Sequence, residues 1–158
     1  MGADSNERLG WRRHRLTLSL VVVGLMVMLG VFLKHAFTRY LNMGMYAKRS
    51  EGAWLLEQIH QAELQYFEQH GEYVAVGATP QRAPGSRQTA FESPHMAGWR
   101  RLGWQPDSLV RCQFEVTVPT PTDFRAVARC DVDDDGQMSV FVSSREHPPK
   151  RISPDDHY

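Results

Sequence analysis

The hydrophobic pattern of the N-terminal part of the chain changes abruptly at residue 34. Residues 16–33 are LTLSLVVVGLMVMLGVFL, a run without charge in which only Thr17 and Ser19 are polar. About 18 apolar residues are enough for a helix to cross the hydrocarbon core of a bilayer. The pattern therefore predicts a transmembrane segment over 16–33, ended by Lys34 and preceded by a short tail over 1–15.

A second helical pattern follows directly, over residues 34–70. This stretch contains no proline, so no residue interrupts the helical hydrogen-bond ladder. Apolar and small residues recur at steps of mostly three and four, which places them on one face; they are Met43, Tyr46, Ala47, Ser50, Trp54, Leu55, Ile59, Ala62 and Tyr66. We predict that Trp54, Ile59 and Tyr66 mark the core face of this helix. Gly71 is the residue type that commonly follows a helix end.

Residues 71–108 have turn residues every few positions and no sustained period, which predicts an irregular loop with a short helical turn near 94–102. Phe91, Trp99 and Trp104 are large apolar residues that argue against disorder. One interpretation buries them against the helix or the sheet. The alternative leaves Trp99 and Trp104, with the arginines between them, as an exposed interface for a protein or a polysaccharide.

Residues 109–145 alternate between apolar and polar positions, which predicts a β-meander. Val110, Cys112, Phe114, Val116 and Val118 share one face of the first strand, and Phe124, Ala126, Ala128 and Cys130 share one face of the second. A turn centred on Pro121 pairs Val118 with Phe124, Val116 with Ala126, Phe114 with Ala128 and Cys112 with Cys130. The two cysteines are then within disulfide range. Two buried free thiols are the alternative. A third strand is expected within 137–144, and the tail HPPKRISPDDHY is expected to be a loose end.

These elements together predict an α+β fold, in which a long N-terminal helix packs against a three- to four-stranded antiparallel sheet. The chain has 158 residues and no net charge, which suits one small domain over 34–158 and disfavours nucleic-acid binding. The tail carries four arginines against one Asp and one Glu, which favours a cytoplasmic N-terminus. A disulfide would place the C-terminal domain in an oxidising compartment. We favour an uncleaved anchor over a signal peptide, because no A-x-A site follows the apolar run.

The strongest candidate for a ligand site is the segment DVDDDG over 131–136. Asp131, Asp133 and Asp135 place carboxylates at alternate positions before a glycine, as in the first half of a calcium loop. The twelfth position of an EF-hand pattern would be Val142 and not a glutamate, so the motif is not an EF-hand. A solvated β-turn is the alternative.

Other titratable residues give no catalytic or metal pattern. Glu57, His60, Glu63 and His70 lie at helical spacings and are expected on the surface, since no further ligand follows at a recognisable spacing. The sequence has no nucleophile elbow, no Ser-His-Asp set and no phosphate-binding loop. We therefore expect a protein that is not an enzyme.

Several segments resemble the type IV pilin and type II secretion pseudopilin family. They are YAKRSEGAWLLEQIHQAELQYFEQHGEYV, RRLGWQP, VRCQFEV and ARCDVDDDGQMSVF. The resemblance implies a helix whose first half is anchored in the bacterial inner membrane and packs in a filament, while its second half carries a periplasmic antiparallel sheet. Some pseudopilins bind calcium in an acidic loop.

The chain departs from the family at the processing site. Family precursors have a glycine before a Phe-Thr-Leu-Ile-Glu run, whereas here Arg15 stands at the glycine, Leu16 at the phenylalanine and Leu20 at the glutamate. The departure predicts an accessory pilin-like protein that contacts the lipid bilayer and other pilin-like subunits or their machinery. The alternative is an anchored adaptor or sensor that binds calcium or another ligand.

Overall fold

The computed structural model describes the backbone of residues 4–158 and the side chains of residues 18–41 and 43–158. In chain order the elements are helix α1 (Asp4–His70), strand β1 (Val76–Thr79), helix α2 (Met96–Leu102) and strands β2 (Cys112–Thr120), β3 (Asp123–Cys130), β4 (Ser139–Ser144) and β5 (His147–Arg151). The predicted α+β arrangement, a long N-terminal helix packed against an antiparallel sheet, is confirmed. Residues 1–3 of the predicted tail lie outside the described residues.

The chain forms two compact units, Met1–Met43 and Gly44–Tyr158. In the first unit every described side chain is exposed. The helical stretch that begins at Leu18 is apolar enough to cross a membrane, judged by length and composition. The second unit, which we call the head, begins at Gly44 and not at residue 34 as predicted. Among the described side chains of α1, the first that are not exposed come after that glycine.

The sheet of the head is an antiparallel meander with the strand order β1-β2-β3-β4-β5. The predicted register of β2 and β3 is confirmed at three pairs: Cys112 with Cys130, Phe114 with Ala128, and Val116 with Ala126. The expected pairing of Val118 with Phe124 is absent from this ladder, because the register shifts between Thr117 and Thr120. A bulge of this kind bends the hairpin near its turn.

Two strands lie where the sequence predicted none, so the sheet has five strands instead of three or four. β1 lies inside the predicted irregular segment 71–108 and pairs with β2; it is four residues long and contains Gly77, too short to show an alternating pattern. β5 lies in the predicted loose tail and contains Pro148 and Pro149. Proline is tolerated at the edge of a sheet, which is where β5 lies.

The C-terminal tail is tied to the head. The Nη1 atom of Arg49 donates hydrogen bonds to the carbonyl oxygens of Asp155, at 2.8 Å, and of His157, at 2.7 Å. The backbone N–H of Val132 donates to the carbonyl of Tyr158 at 3.0 Å. The prediction of a loose end is therefore wrong, since an arginine on α1 supplies the donors that the tail carbonyls need.

The face of α1 that packs on the sheet is rotated relative to the predicted one. Its buried side chains are Arg49, Leu55, Leu56, Ile59, His60 and Glu63. Ile59 is buried as predicted and Tyr66 is half-buried, but Trp54 is 63% exposed, so its placement in the core is wrong. Each residue turns a helix by about 100°, which puts Trp54 nearly opposite Gly52 and Leu56. The sheet selects the side that carries these two residues.

Segment 71–108 completes the core beside the helix. Phe91, Trp99 and Trp104 are buried, and the three rings contact one another with centroids 5.3 to 5.5 Å apart. The indole N–H of Trp99 donates to Oγ1 of Thr79 at 2.8 Å. The burial interpretation of Trp99 and Trp104 is confirmed, and neither forms an exposed patch. α2 provides the predicted short helical turn.

The disulfide between Cys112 and Cys130 is confirmed, with the Cα atoms 4.3 Å apart. It lies directly beneath α1 at Gly52. A Cβ atom built on Gly52 would lie 2.5 Å from the Sγ of Cys130 and 3.0 Å from the Sγ of Cys112. The helix therefore approaches the sheet at a point where it has no side chain.

We predict that Gly52→Ala destabilises the head by roughly 1 to 3 kcal/mol, because the new methyl group overpacks the disulfide. Gly44→Ala is the matched control: it lies in the same helix, and nothing approaches its Cβ position within 4 Å. In that open position alanine gains up to about 1 kcal/mol from helix propensity. Thermal denaturation of the full chain in detergent, followed by circular dichroism, measures both. Equal effects of the two substitutions would contradict a close contact at Gly52.

Candidate functional site

The acidic loop, residues 131–136, joins β3 to β4. Asp134 and Gly136 have positive φ angles of 65° and 82°, and these two residues let the chain turn tightly. Each of Asp131, Asp133 and Asp135 offers one carboxylate oxygen, and these three atoms lie within 4.8 Å of one another. The structure thus brings together the three side chains that the sequence singled out for calcium.

Part of this acidic cluster already has a structural role. The two carboxylate oxygens of Asp131 accept the backbone N–H groups of Asp135, at 3.1 Å, and Gly136, at 3.2 Å. Burial raises the pKa of Asp131 above its ordinary value. Asp133 Oδ1 is buried without a hydrogen-bond partner among the described residues. Calcium takes six to eight oxygens, so three carboxylates would need water or carbonyl groups to complete the shell.

A second polar cluster, buried beneath α1, was missed by the sequence analysis. His60 and Glu63 were expected on the surface, yet both side chains are buried in the head, and Tyr73 is buried beside them. The ring of Phe124 contacts both His60, with centroids 5.6 Å apart, and Tyr73, with centroids 5.0 Å apart. The expectation for His60 and Glu63 is wrong because their positions continue the buried stripe of Leu56 and Ile59 at helical spacing.

This polar cluster is incompletely hydrogen-bonded. The Oε2 atom of Glu63 accepts the backbone N–H of Val74 at 3.0 Å, which ties the end of α1 to the chain that follows it. The Oε1 atom of Glu63, the Nδ1 atom of His60 and the hydroxyl of Tyr73 have no partner among the described residues. A buried carboxylate without compensating donors is costly in its charged form.

Burial shifts the pKa values of all three groups toward their neutral forms. It raises the pKa of Glu63 from 4.5 to about 7, while the hydrogen bond from Val74 acts in the opposite direction. It lowers the pKa of His60, opposed by nearby Glu57. It raises the pKa of the Tyr73 phenol, opposed by Arg145 and reinforced by Asp123 and Glu63. Burial between helix and sheet thus favours the neutral form of each of these three polar groups.

The other predicted interface residues lie in different surroundings. The Tyr66 hydroxyl accepts a hydrogen bond from Nε of Arg101 at 3.0 Å, and its ring stacks on His70 with centroids 4.1 Å apart. The indole N–H of Trp104 donates to Oε1 of Gln58 at 3.2 Å. Trp54 projects outward from α1. The helix residues therefore divide between a core role for Ile59, a rim position for Tyr66 and a surface position for Trp54.

Comparisons with models of protein families, with curated proteins and with solved structures find no match to this chain.

We predict that the head loses stability as pH rises from about 4.5 to about 7 because of Glu63. In this interval folded Glu63 retains a proton that the unfolded chain has released, so deprotonation favours unfolding. This stabilisation is fully present below the pKa that Glu63 has in the unfolded chain. It is lost as pH rises through the pKa that Glu63 has in the folded head. The expected loss is on the order of 1 to 3 kcal/mol.

Denaturation curves across this pH range, for the natural chain and for Glu63→Gln, measure the effect as the difference between the two. His60 acts in the opposite sense. Because its pKa is lowered in the folded head, the head loses stability as pH falls below 6.5. This contribution is present in both proteins and cancels in the difference between their curves. Exposed Glu68→Gln is the control and should follow the natural chain. A difference curve for Glu63→Gln that stays flat with pH would rule out a neutral buried carboxyl.

Proposed function

We propose that this chain is a membrane-anchored accessory protein of the pilin-like type, which acts through contacts with pilin-like subunits or with the machinery of a type IV pilus or a type II secretion system. The observation that carries the proposal is that α1 combines two kinds of surface. Its described side chains are exposed and largely apolar from Leu18 to Phe37, and they are buried against a sheet at Leu56 and Ile59.

The described chemistry of the head is consistent with a structural role. The buried polar side chains of the head include His60, Glu63 and Tyr73, which are enclosed between the helix and the sheet. Exposed apolar side chains are unfavourable in water. In lipid they are not, and a helix can enter lipid because its backbone groups are hydrogen-bonded within the helix. We therefore infer that the lipid bilayer is one partner of the chain.

The proposed orientation places the N-terminus in the cytoplasm and the head in the periplasm. It is supported by the disulfide between Cys112 and Cys130, since such bonds persist in oxidising compartments. The arginines of the tail favour the same orientation.

We predict that prepilin peptidase leaves the natural chain intact, because Arg15 stands where the family's cleavage site has glycine. The full chain is coexpressed with the peptidase in a membrane-competent host and its intact mass is measured. The variant Arg15→Gly, with Leu16→Phe and Leu20→Glu, restores the family pattern and serves as the matched control. Loss of the mass of residues 1–15 from the natural chain would contradict the uncleaved anchor.

The accessory role is tested in the same membranes. The chain, tagged after Tyr158, is captured after mild crosslinking, and copurifying proteins are identified by mass spectrometry. Pilin-like subunits or inner-membrane assembly proteins are expected. The control is a chimera in which the head is exchanged for another on the same membrane span, which detects proteins captured only because they share the membrane. Capture of the same proteins by the exchanged head would argue against a contact through this one.

A calcium-binding adaptor is the second candidate function, and it is favoured by the convergence of Asp131, Asp133 and Asp135. In this alternative, calcium raises the melting temperature of the head by several degrees relative to a chelator, because a ligand that binds only the folded state stabilises it. Asp133→Asn abolishes the increase, whereas Asp107→Asn, elsewhere on the head, retains it. Equal melting in calcium and chelator would remove this alternative.

A further inference from the structure

A groove lies on the flank of α1, between the face that packs on the sheet and the exposed side that carries Trp54. It has a volume of about 310 Å³ and lies between α1 and residues 106–109. Trp54 and Leu109 stand on its two sides, 63% and 50% exposed. Leu55, which is buried, forms part of its floor. Exposed apolar side chains grouped around a concavity are typical of a binding surface.

Hydrogen bonds hold both ends of the groove in place. At one end Glu51 on α1 accepts the backbone N–H of Arg111 at 2.7 Å and its Nη1 at 3.2 Å. At the other end Gln58 accepts the indole N–H of Trp104 at 3.2 Å. Trp54 lies between these two positions on the helix. The walls are therefore tied together on either side of the exposed indole, so a ligand would meet a surface that is already formed.

The charged side chains that line the groove are acidic. Glu51 and Asp107 line it, and no lysine or arginine is among its lining residues. Glu51 is paired with Arg111. The Asp107 side chain is exposed and makes no hydrogen bond or ion pair within the described part of the chain. Electrostatic complementarity contributes to the specificity of a contact more than to its affinity. The carboxylate of Asp107 therefore favours a partner that carries a cation next to its apolar side chain.

We propose that the groove between Trp54 and Leu109 binds a segment of another protein that presents an apolar side chain next to a lysine or arginine. The apolar side chain packs between the indole and Leu109 over the floor at Leu55, and the cation pairs with Asp107. This inference rests on the proposed accessory role and deepens it by assigning a contact surface to it. Its physical evidence is the groove, so its test can fail without bearing on membrane insertion or processing.

The test uses the full chain in nanodiscs of zwitterionic phosphatidylcholine and three short capped peptides as probes. One peptide alternates leucine with lysine, one leucine with glutamate, and one serine with lysine. Fluorescence of the exposed Trp54 reports binding, and Trp54→Phe identifies its share of the signal. We expect the leucine–lysine peptide to bind about tenfold more tightly than either of the others, which corresponds to about 1.4 kcal/mol.

Substitutions in the groove separate the two parts of the proposed contact. Leu109→Ala should weaken the leucine–lysine peptide severalfold, and Asp107→Asn should reduce the preference for lysine over glutamate. Ile152→Ala is the matched control, because Ile152 is also exposed, at 59%, and is not among the lining residues. Melting curves verify that each variant is folded, as expected for substitutions at exposed positions.

Three outcomes would overturn the proposal. Equal affinity for the three peptides would mean that the groove does not select an apolar and cationic partner. A fluorescence change that is unaffected by Leu109→Ala and Asp107→Asn would place binding elsewhere. A change in Trp54 fluorescence that grows with protein concentration in the absence of peptide would assign the groove to a second copy of the chain. None of these results bears on cleavage by prepilin peptidase.

Discussion

The close approach of α1 to the disulfide is the contact on which the head depends. Gly52 has no side chain, so the helix backbone lies against the sulfur atoms of Cys112 and Cys130. The disulfide in turn joins β2 and β3, the two strands with the longest ladder in the sheet. Helix position, strand register and disulfide are thus coupled at one point, and the side of α1 that faces the sheet follows from it.

This coupling explains why polar residues are buried beneath the helix. Once Gly52 lies over the disulfide, the helical repeat brings Leu56, Ile59 and then His60 and Glu63 onto the sheet. Glu63 compensates part of its burial by accepting the Val74 N–H, and burial raises the pKa of its carboxyl to about 7. The joint therefore combines tight apolar packing with a carboxyl group whose ionisation opposes the packing.

The same rotation of the helix leaves Trp54 on the surface. A tryptophan excluded from the core would be costly in isolation, but here it stands beside Leu109 over a groove whose ends are fixed by Glu51 and Gln58. The arrangement separates two functions along one helix. One side of the helix within the head stabilises the fold, and the other presents a preformed acidic and apolar surface that a partner can contact.

Local patterns along the chain predicted a helix apolar enough to cross a membrane, its continuation to His70 and the disulfide. Each rests on neighbouring residues or on the fixed period of a helix or a hairpin, so the sequence alone carries the information. It also identified the acidic loop as a cluster.

The tertiary structure decided which side of α1 is buried, because a stripe containing both Trp54 and Leu55 is compatible with two rotations and only contact with the sheet selects one. It likewise decided that β1 and β5 pair as edge strands and that Arg49 holds the C-terminal tail, since these interactions join residues far apart in sequence and leave no periodic trace.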